Sequence, residues 1–485
     1  MSELNKIIES LQSTLQGAEG VRSVYFLGIG GIGMSALARY FNSKGILVSG
    51  YDKTETVLTK QLVAEGIKIH FEDNIELIDK TAKLVIYTPA VPKDHTELNY
   101  YQQNNYTVVK RSDVLGAITN SSFNICIAGT HGKTTTSTMV AHILRHSAYG
   151  CNAFLGGIAV NYNSNFWPAP IVSESSDNNT CVVEADEYDR SFLKLSPDVA
   201  IISSMDPDHL DIYGTAEKVE EAFIEFSGKI KAGGLLLSRF GLKRTAELKG
   251  TIHLTYGVDD PEADVYSTNI KMDHGSYQFD VIMKDWQLNG VVLNMGGRHN
   301  IENVTAAIAV AHHLKIDDDK IRAAVADFKG IKRRFEYIIK EKGQVMIDDY
   351  AHHPEELRAL ITGAKSLFSD KKCTVVFQPH LYSRTKDQAD GFAEVLDLAD
   401  EVILLPIYPA RELPMEGVSS EMILERMHSE NKTVMSKGNL IKHFSLEKYA
   451  HVEEGYNGHV IITAGAGDID TLVQPIKAIL EQNKK

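Results

Sequence analysis

The stretch Ala128-Gly-Thr-His-Gly-Lys-Thr-Thr-Thr-Ser137 decides the fold of the central part of this chain. An apolar run typical of a buried strand precedes it over 123–128, and a helix-like run over 135–144 follows it. Glycines let the backbone close around phosphate oxygens, and the first turn of a helix adds unpaired N–H groups. Lys133 can place a positive charge beside the β- and γ-phosphates, and the Thr134 hydroxyl can ligate Mg²⁺. The stretch therefore predicts a nucleoside triphosphate site, in a loop shorter than the standard pattern, rather than an ordinary helix-capping loop.

Length and composition indicate a large globular protein. The chain has 485 residues, of which 43% are apolar, and a formal net charge of −14. Without a large basic cluster, this acidic balance argues against nucleic-acid binding. The charged N-terminus lacks the apolar core of a signal peptide, and no run approaches the roughly 18 apolar residues of a membrane span. We therefore expect a cytoplasmic protein without membrane insertion, in which the scattered Cys126, Cys151, Cys181 and Cys373 are buried reduced thiols.

A second glycine-rich turn, Gly28-Ile-Gly-Gly-Ile-Gly33, lies near the N-terminus. A short apolar strand over 24–27 precedes it, a helical pattern over 34–41 follows it, and a strand over 46–50 then leads to Asp52. This βαβ unit, with an acid about 20 residues beyond the first glycine, is typical of a pyrophosphate site. Taken alone it also fits an NAD-dependent dehydrogenase. That interpretation leaves the phosphate loop and the acidic clusters described below without a role.

Strands and helices alternate along the rest of the chain. Strands are predicted over 84–87, 107–109, 180–183, 199–203, 345–348, 374–377, 401–405 and 459–463, and helices over 304–314, 354–367 and 386–398. Hairpin-like alternation over 264–295 predicts antiparallel strands beside a parallel core. We therefore expect an α/β protein with three domains, at 1–120, 121–330 and 331–485. The first and third are expected to be Rossmann-like, and the central one to be a phosphate-loop domain with a flanking antiparallel sheet.

Two acidic clusters follow apolar strands of the central segment. The first contains Glu184, Asp186, Glu187 and Asp189, and the second contains Asp206, Asp208, His209 and Asp211. Carboxylates at the carboxyl ends of strands beside a phosphate loop are a common way to hold Mg²⁺. Glu184 stands closest to its strand end, and a histidine among aspartates is a candidate for metal or phosphate binding. The alternatives are a solvated acidic turn and a structural histidine.

Polar residues farther along the chain offer further ligand contacts. Asn300 and Asn303 share one side of a predicted helix start, where they can read an adenine edge, or where Asn300 can simply cap the helix. A guanidinium of Arg333 or Arg334 can reach a phosphate at the start of the third segment. Asp349, His352, His380 and Arg384 follow two strands of that segment, and functional and structural roles are equally open for them. The whole constellation suits the joining of two substrates at the expense of ATP.

Nine motifs in order make the chain resemble the Mur ligase family over nearly its whole length. They are GIGGIGMSALA, GTHGKTTT, EADEYDRSF, DPDHLDIYG, GRHNIENVTAA, RRFE, DDYAHHPEE, FQPHLYSRT and ITAGAGDI, between Gly28 and about Asp468. Together they are far more specific than any one motif. The resemblance implies ATP-dependent ligation of L-alanine to the lactyl carboxylate of UDP-N-acetylmuramate through an acyl phosphate, in peptidoglycan precursor synthesis. It also implies Mg²⁺ as cofactor and a monomer or homodimer.

The resemblance also assigns residues to each substrate. The UDP-sugar is expected at Gly28, Gly30, Gly31, Gly33 and Asp52, and ATP at Gly129, Thr130, His131, Gly132, Lys133, Thr134, Thr135, Asn300, Asn303, Arg334 and Asp349. Thr134, Glu184 and His209 are the implied metal ligands, and Lys133, Glu184, His209 and Arg334 the implied catalytic residues. The incoming amino acid is expected at Tyr350, His352, His380 and Arg384.

Two positions depart from the family pattern. Leu381 stands where many relatives have arginine, which leaves the amino-acid contacts there open. Relatives that add later amino acids use a carbamoylated lysine, but Lys218 is the one lysine between Asp211 and Phe226, so we expect a carboxylate or water at the second metal site instead. Two alternatives are a recycling ligase that attaches a murein tripeptide to the same UDP-sugar and an ATP-binding regulatory module. The compact DDYAHHPEE and QPHLYSRT motifs favour a single amino acid over the tripeptide.

Overall fold

The structure is a computed structural model that describes Leu4 and residues 23–170, 179–273, 275–410, 412–445, 449 and 455–482. The start of the first predicted domain and the side chains of Asp189 and Asp211 lie outside these described parts. Packing divides the chain into two compact units. Unit 1 contains Met1–Thr268, Val281–Leu288 and Glu302–Val325, and unit 2 contains Asn269–Asp280, Asn289–Ile301 and Ala326–Lys485.

Strands and helices alternate through most of the chain, as the sequence predicts. The strands are β1 Ser23–Leu27, β2 Leu47–Tyr51, β3 Lys68–His70, β4 Leu84–Tyr87, β5 Val108–Lys110, β6 Phe123–Ala128, β7 Asn152–Ala159, β8 Ser164–Trp167, β9 Thr180–Glu184, β10 Val199–Ile202, β11 Leu235–Arg239, β12 Ile252–Val258, β13 Val265–Asp273, β14 Ser276–Met283, β15 Trp286–Leu293, β16 Glu336–Lys340, β17 Gln344–Asp349, β18 Lys372–Phe377, β19 Glu401–Leu404, β20 Lys432–Val434 and β21 His459–Ala464. The helices are α1 Ile32–Ser43, α2 Val57–Ala64, α3 Thr96–Gln103, α4 Arg111–Asn120, α5 Lys133–His146, α6 Leu210–Tyr213, α7 Ala216–Ser227, α8 His299–His313, α9 Asp318–Asp327, α10 Pro354–Leu367, α11 Tyr382–Leu396, α12 Glu421–Leu424, α13 Lys437–Phe444 and α14 Val473–Gln482. Short 3₁₀ helices span Tyr188–Lys194, Thr245–Glu247 and Asp468–Leu472.

The first sheet has the strand order β3-β2-β1-β4-β5, and all of its neighbours are parallel. The strand order reverses between β1 and β4, so the crevice at their carboxyl ends is the topological switch point where such sheets bind ligands. The glycine-rich turn leaves β1 at this crevice. The doubly wound arrangement confirms the predicted Rossmann-like region.

Polar and aromatic contacts fasten α1 to the central sheet. Asn165 on β8 donates from Nδ2 to the carbonyl of Ile32 at 2.5 Å and to Ser35 Oγ at 2.9 Å. The guanidinium of Arg39, whose side chain is 5% exposed, donates to the Asn165 carbonyl oxygen. The ring of Tyr40 packs on two phenyl rings of β7 and β8, with centroids 5.4 and 6.0 Å apart. The helix that begins at the first glycine turn is therefore anchored by residues more than a hundred positions away.

The second sheet has the order β15-β14-β13-β12-β11-β10-β6-β9-β7-β8. Across the sheet, all neighbouring strands between β13 and β7 in this order are parallel, and β8 is antiparallel to β7. Two-residue connections join β13 to β14 and β14 to β15, and so short a link permits only antiparallel pairing. The predicted antiparallel strands are confirmed, and they extend the parallel sheet. Because β6 lies between β10 and β9, the phosphate loop leaves the sheet between the two acidic clusters.

The third sheet has the order β16-β17-β21-β18-β19-β20. Only the pair of β16 and β17 is antiparallel within this described sheet. The strands β17 and β18 flank β21, so the loops that follow these three strands leave the sheet at one edge. This arrangement confirms the predicted α/β architecture of the third segment.

Three helices begin earlier than the sequence predicts. The helix α5 begins at Lys133, directly after Gly132 in a left-handed conformation. The helix α8 begins at His299, so Asn300 lies inside its first turn and the N-cap alternative is wrong. The helix α11 begins at Tyr382, where the backbone N–H of Ser383 donates to the Glu412 carboxylate at 3.0 Å. Because Glu412 is so distant in sequence, no local sequence pattern indicates this helix start.

All four cysteines are buried and free, as predicted. Burial raises the pKa of the Cys181 thiol to about 11, because the thiolate would lose its hydration. Across the parts of the chain described above, no helix is long and apolar enough to cross a membrane.

Candidate functional site

The phosphate loop joins β6 to α5 in a tight turn at the helix N-terminus. Gly129 and Gly132 have φ angles of 134° and 81°, which glycine adopts without a steric penalty. The loop rests on the end of β10, where Ser204 Oγ accepts from the backbone N–H of His131 and shares a hydrogen bond with Thr130 Oγ1, both at 2.8 Å. The turn is thus held in shape by protein contacts, with the N-terminal end of a fourteen-residue helix behind it.

The Lys133 ammonium is held by a backbone carbonyl and a carboxylate. Its Nζ donates to the Gly129 carbonyl at 2.7 Å and to Glu187 Oε1 at 2.8 Å. Glu187 is 1% exposed, and its own backbone carbonyl accepts from the Tyr213 hydroxyl at 2.6 Å. Breaking a buried ion pair by removing one partner is costly, because the other charge stays desolvated. Glu187, to which the sequence analysis gave no individual role, is therefore the partner that fixes the Lys133 charge at the loop.

Glu184 lies on the other side of the loop and contacts Thr134. Its carboxylate accepts from Thr134 Oγ1 at 3.0 Å and from the backbone N–H of Gly156 on β7 at 3.0 Å. Burial raises the pKa of Glu184, and the nearby Lys133 charge together with these two hydrogen bonds opposes the rise. A Cβ atom at position 156 would overlap the Glu184 carboxylate, so any larger residue there must displace it.

The second acidic cluster brings His209 close to Glu187. The backbone of His209 is left-handed, with φ of 52°, and its Nε2 lies 3.9 Å from Glu187 Oε1 and 3.7 Å from Asp208 Oδ2. The ligand atoms of these three residues all lie within 4.8 Å of one another. The Tyr188 ring meets the imidazole edge-on, with centroids 5.2 Å apart.

Two donor sets at this edge of the sheet suit divalent cations to different degrees. The Thr134 hydroxyl and the Glu184 carboxylate offer only oxygen, which is the ligand type that Mg²⁺ prefers. Glu187, Asp208 and His209 add an imidazole nitrogen, which suits transition metals at least as well. The chemistry of the first set therefore fits Mg²⁺ better than that of the second.

The two asparagines of α8 are both buried and hydrogen-bonded. Asn303 Oδ1 accepts from Thr136 Oγ1 on α5 at 3.1 Å, and a Cβ atom on Gly132 would come within 2.8 Å of it. Asn303 therefore packs directly against the phosphate loop within unit 1. Asn300, in unit 2, donates from Nδ2 to the carbonyl of Gly296 at 2.6 Å.

The first glycine turn is built around Asp52. The carboxylate accepts from the backbone N–H of Gly30 at 2.7 Å and from that of Thr54 at 3.2 Å. Gly28 takes a φ of 83° and donates to the Tyr51 carbonyl at 2.8 Å. A Cβ atom on Gly30 would lie 2.8 Å from Asp52 Oδ2. The aspartate predicted to meet the nucleotide sugar also holds the turn itself.

A cavity of about 290 Å³ lies between this turn and the carboxyl end of β9. Its walls include Gly31, Gly33, Arg111, Gly156, Glu184 and Asp186, all within unit 1. The cavity lies beside the first glycine turn and reaches Glu184, whose carboxylate contacts Thr134 next to the phosphate loop.

In unit 2, Asp349 organises the turn that carries Arg334. Its carboxylate accepts from the backbone N–H groups of Phe335 at 2.6 Å and Ala351 at 2.7 Å. Burial raises the pKa of Asp349 to about 6. Both neighbours of Arg334 in the chain have left-handed backbones, which is rare for residues with a Cβ atom. The Arg334 guanidinium lies 5.9 Å from the centre of the Tyr350 ring.

The predicted amino-acid residues also lie close together in unit 2. The His352 and His380 ring centroids are 6.2 Å apart, and Arg384 Nη1 lies 3.4 Å from His380 Nδ1. Burial is the main cause that lowers the pKa of both histidines, and the Arg384 charge lowers it further. Leu381, where the sequence departs from the family pattern, has a φ of 71° at the start of α11. A strained non-glycine residue at this position is typical of a ligand site.

Sequence reasoning gave no role to three residues of these sites. Glu187 belongs to a quoted motif, but its pairing with Lys133 depends on the fold. Gly156 lies inside a strand, a position that often marks a close approach of another group. Arg111 begins α4 after β5 and carries no motif of its own.

Comparisons with known proteins agree with this arrangement. Models described as Mur ligase family, catalytic domain, Mur ligase middle domain, and Mur ligase, glutamate ligase domain match residues 23–123, 127–311 and 333–467. The chain is 48% identical to the UDP-N-acetylmuramate–L-alanine ligase of Porphyromonas gingivalis strain W83 over 467 residues, which is 95% of this chain and 99% of that protein. It is 47% identical to the ligase of the same name from Cytophaga hutchinsonii, over 95% of this chain and 97% of that one.

Solved structures show the same overall resemblance. The crystal structure of the UDP-N-acetylmuramate–alanine ligase MurC from Thermotoga maritima is 29% identical and superimposes with a TM-score of 0.77, covering 95% of this chain and all of that chain. A murein peptide ligase from Psychrobacter arcticus shares the fold at 23% identity, with a TM-score of 0.65 and coverage of 95% and 99%. On its sequence identity and its family matches over most of its length, this chain belongs to the Mur ligase family.

Proposed function

We propose that this protein ligates L-alanine to the lactyl carboxylate of UDP-N-acetylmuramate at the expense of ATP, a step in peptidoglycan precursor synthesis. The observation that carries the proposal is the 48% identity, over nearly the full length, to ligases named for this reaction. The site supports it because Lys133, Thr134 and Glu184 lie together at a phosphate loop. A cytoplasmic location and a monomeric or dimeric state belong to the same proposal.

The central region, proposed as a domain over 121–330, binds ATP. The backbone N–H groups of Gly129–Thr135 donate to the phosphates at the start of α5, where the helix dipole also favours anions. Lys133, which Glu187 holds near the loop, exchanges this contact for the β- and γ-phosphates when ATP binds. Asn300, Asn303, Arg334 and Asp349 are proposed as the remaining nucleotide contacts.

The outer regions, proposed as domains over 1–120 and 331–485, bind the two substrates that are joined. The turn at Gly28, Gly30, Gly31 and Gly33 takes the UDP pyrophosphate, and Asp52 supports this turn and meets the nucleoside. Tyr350, His352, His380 and Arg384 take the amino acid. The Arg384 guanidinium suits the carboxylate of alanine.

The proposed reaction has two steps. A lactyl carboxylate oxygen first attacks the γ-phosphorus, and the bond to the β–γ bridging oxygen breaks to release ADP. The alanine nitrogen then attacks the carbonyl carbon of the acyl phosphate, the carbon–oxygen bond to phosphate breaks, and the nitrogen gives up one proton. Lys133 and Arg334 stabilise the charge that develops on the phosphoryl oxygens. His352 is the candidate to accept the proton, since His209 is a proposed metal ligand, and burial lowers the pKa of His352, which favours its neutral imidazole.

Mg²⁺ is the proposed cofactor, and Thr134, Glu184 and His209 are its proposed ligands. When bound, it would neutralise phosphate charge and polarise the transferred phosphoryl group. Of the side chains involved, Thr134 and Glu184 are already oriented by their mutual hydrogen bond and by the Gly156 N–H.

Phosphate release from ATP tests the proposal directly. The purified protein is incubated with Mg²⁺, ATP and UDP-N-acetylmuramate, with either L-alanine or the tripeptide L-Ala-γ-D-Glu-meso-diaminopimelate. We expect release that requires both the UDP-sugar and L-alanine. Release only with the tripeptide would make the protein a recycling ligase, and no release with either amine would contradict the ligase proposal.

A further inference from the structure

Arg111 is a cationic side chain of the cavity between the first glycine turn and the carboxyl end of β9. Of the described residues that line this cavity, Arg111 alone carries a positive charge, whereas Glu184 and Asp186 carry negative ones. Its side chain is 25% exposed, and Nη2 lies 3.8 Å from Asp186 Oδ2. The guanidinium therefore lines the cavity while a carboxylate on one side orients it.

The other side of the guanidinium faces the first glycine turn. A Cβ atom placed on Gly33, in the first turn of α1, would lie 2.8 Å from Arg111 Nη1. The backbone N–H groups of this helix start offer partial positive charge but no formal charge. A UDP-sugar bound there brings a pyrophosphate, and UDP-N-acetylmuramate adds a lactyl carboxylate. Apart from Arg111, the side chains that line the cavity are apolar, acidic or, at Thr88, a hydroxyl.

We propose that Arg111 binds an oxyanion of the nucleotide sugar through its guanidinium fork, beside the turn formed by Gly31 and Gly33. This inference rests on the proposed function and names a further substrate-binding residue of that site. Arginine suits the role because its planar fork donates two parallel hydrogen bonds to phosphate or carboxylate oxygens. The Asp186 carboxylate acts as the positioning group for this fork.

Calorimetric titration of the full-length protein tests the inference without requiring turnover. The ligands are UDP-N-acetylmuramate and UDP-N-acetylglucosamine, which lacks the lactyl carboxylate. We expect Arg111→Gln to weaken binding of UDP-N-acetylmuramate at least tenfold, and Arg111→Lys to restore part of that loss. Equal weakening for both sugars identifies the pyrophosphate as the bound anion, and weakening confined to UDP-N-acetylmuramate identifies the lactyl carboxylate. The matched control is Lys110→Ala, which removes an exposed cation one residue earlier and is expected to change affinity less than twofold.

Binding of UDP-N-acetylmuramate to a folded Arg111→Gln protein with wild-type affinity would overturn the inference. Thermal melting checks the folding of each variant. If Arg111→Gln does not fold, Arg111→Lys is used to test the inference. Loss of the guanidinium fork is expected to weaken binding of UDP-N-acetylmuramate at least threefold. Unchanged affinity of this variant would overturn the inference. A wild-type protein that neither binds the UDP-sugar nor releases phosphate would instead refute the proposed function.

Discussion

The turn after β1 and the loop after β6 have the same backbone plan but different chemistry. Each follows a buried parallel strand, contains at least one glycine with positive φ, and leads into a helix of twelve or fourteen residues. The first turn is held by the Asp52 carboxylate, which accepts from Gly30. The second carries Lys133, held by Glu187, and Thr134, bonded to Glu184.

The strands beside each turn account for this difference. The neighbours of β6 are β9 and β10, and both end in acidic clusters. The neighbours of β1 are β2 and β4, which are followed directly by Asp52 and Thr88. In the proposed function the turn after β1 only binds phosphate, whereas phosphoryl transfer at the loop after β6 also uses a fixed cation and metal-binding carboxylates from adjacent strands.

The largest expected effect follows from removing the Lys133 charge. Lys133→Ala should lower kcat by on the order of 10²–10³-fold, because a preorganised cation at the phosphates is lost. The affinity for UDP-N-acetylmuramate should stay within about twofold, since the lysine belongs to the other loop. Steady-state phosphate release and calorimetric titration measure the two quantities. Joint loss of both would show that the two turns do not act separately.

A methyl group at position 156 should impair the function of the phosphate loop, although position 156 lies outside that loop. Gly156→Ala forces the Glu184 carboxylate to move, because the new Cβ atom would overlap it. We expect kcat to fall by on the order of 10²-fold, comparable with losing one stabilising group in a reaction site, with little change in melting temperature. Gly438→Ala is the matched control, because its Cβ atom would meet nothing within 4 Å. Equal kinetics of the two variants would remove Glu184 from the proposed site.

The first turn should respond to a methyl group in a different way. In Gly30→Ala, the Cβ atom would lie 2.8 Å from both Asp52 Oδ2 and Thr59 Cγ2, so these side chains or the turn must move. Disturbing the partly buried hydrogen bond from Gly30 to Asp52 should weaken UDP-sugar binding by about tenfold. The KM for ATP should not change. An equal rise in both constants would mean that the two turns are coupled.

The smallest expected effect tests the carboxylate that holds the first turn. Asp52→Asn keeps one carbonyl oxygen and loses the other acceptor, so one of the two backbone hydrogen bonds is broken. The affinity for UDP-N-acetylmuramate should fall about three- to tenfold, in line with the net value of one hydrogen bond. Titration calorimetry provides the measurement. Tighter binding would indicate that Asp52 repels the pyrophosphate, which contradicts its proposed role.

Local sequence was enough to predict most strands and the positions of both turns. Apolar runs such as 123–128 and 84–87 match β6 and β4 residue for residue, because central parallel strands are buried on both faces. The contact between Thr134 and Glu184 also follows from sequence in principle, since the carboxyl ends of neighbouring parallel strands meet at one edge.

Contacts set by strand order could not be predicted in this way. Gly156 reaches Glu184 only because β7 lies beside β9, and Arg111 reaches Gly33 through packing of α4 near α1. No sequence pattern around Gly156 or Arg111 indicates which residue lies next to it in the fold. The sequence likewise indicated an acidic cluster but not which acid binds Lys133, because the choice of Glu187 depends on the 3₁₀ turn that follows β9.

The anchoring of α1 by Asn165 has a consequence for how the chain can be divided. A fragment ending at the proposed boundary near 120 would keep α1 but lose Asn165 and the phenyl rings that cover Tyr40. Arg39 would keep its ion pair with Glu65, but the uncovered aromatic surface would face water, which favours self-association over a soluble fragment. The first region has its own sequence motif and its own proposed ligand, yet its thermodynamic stability depends on the rest of unit 1.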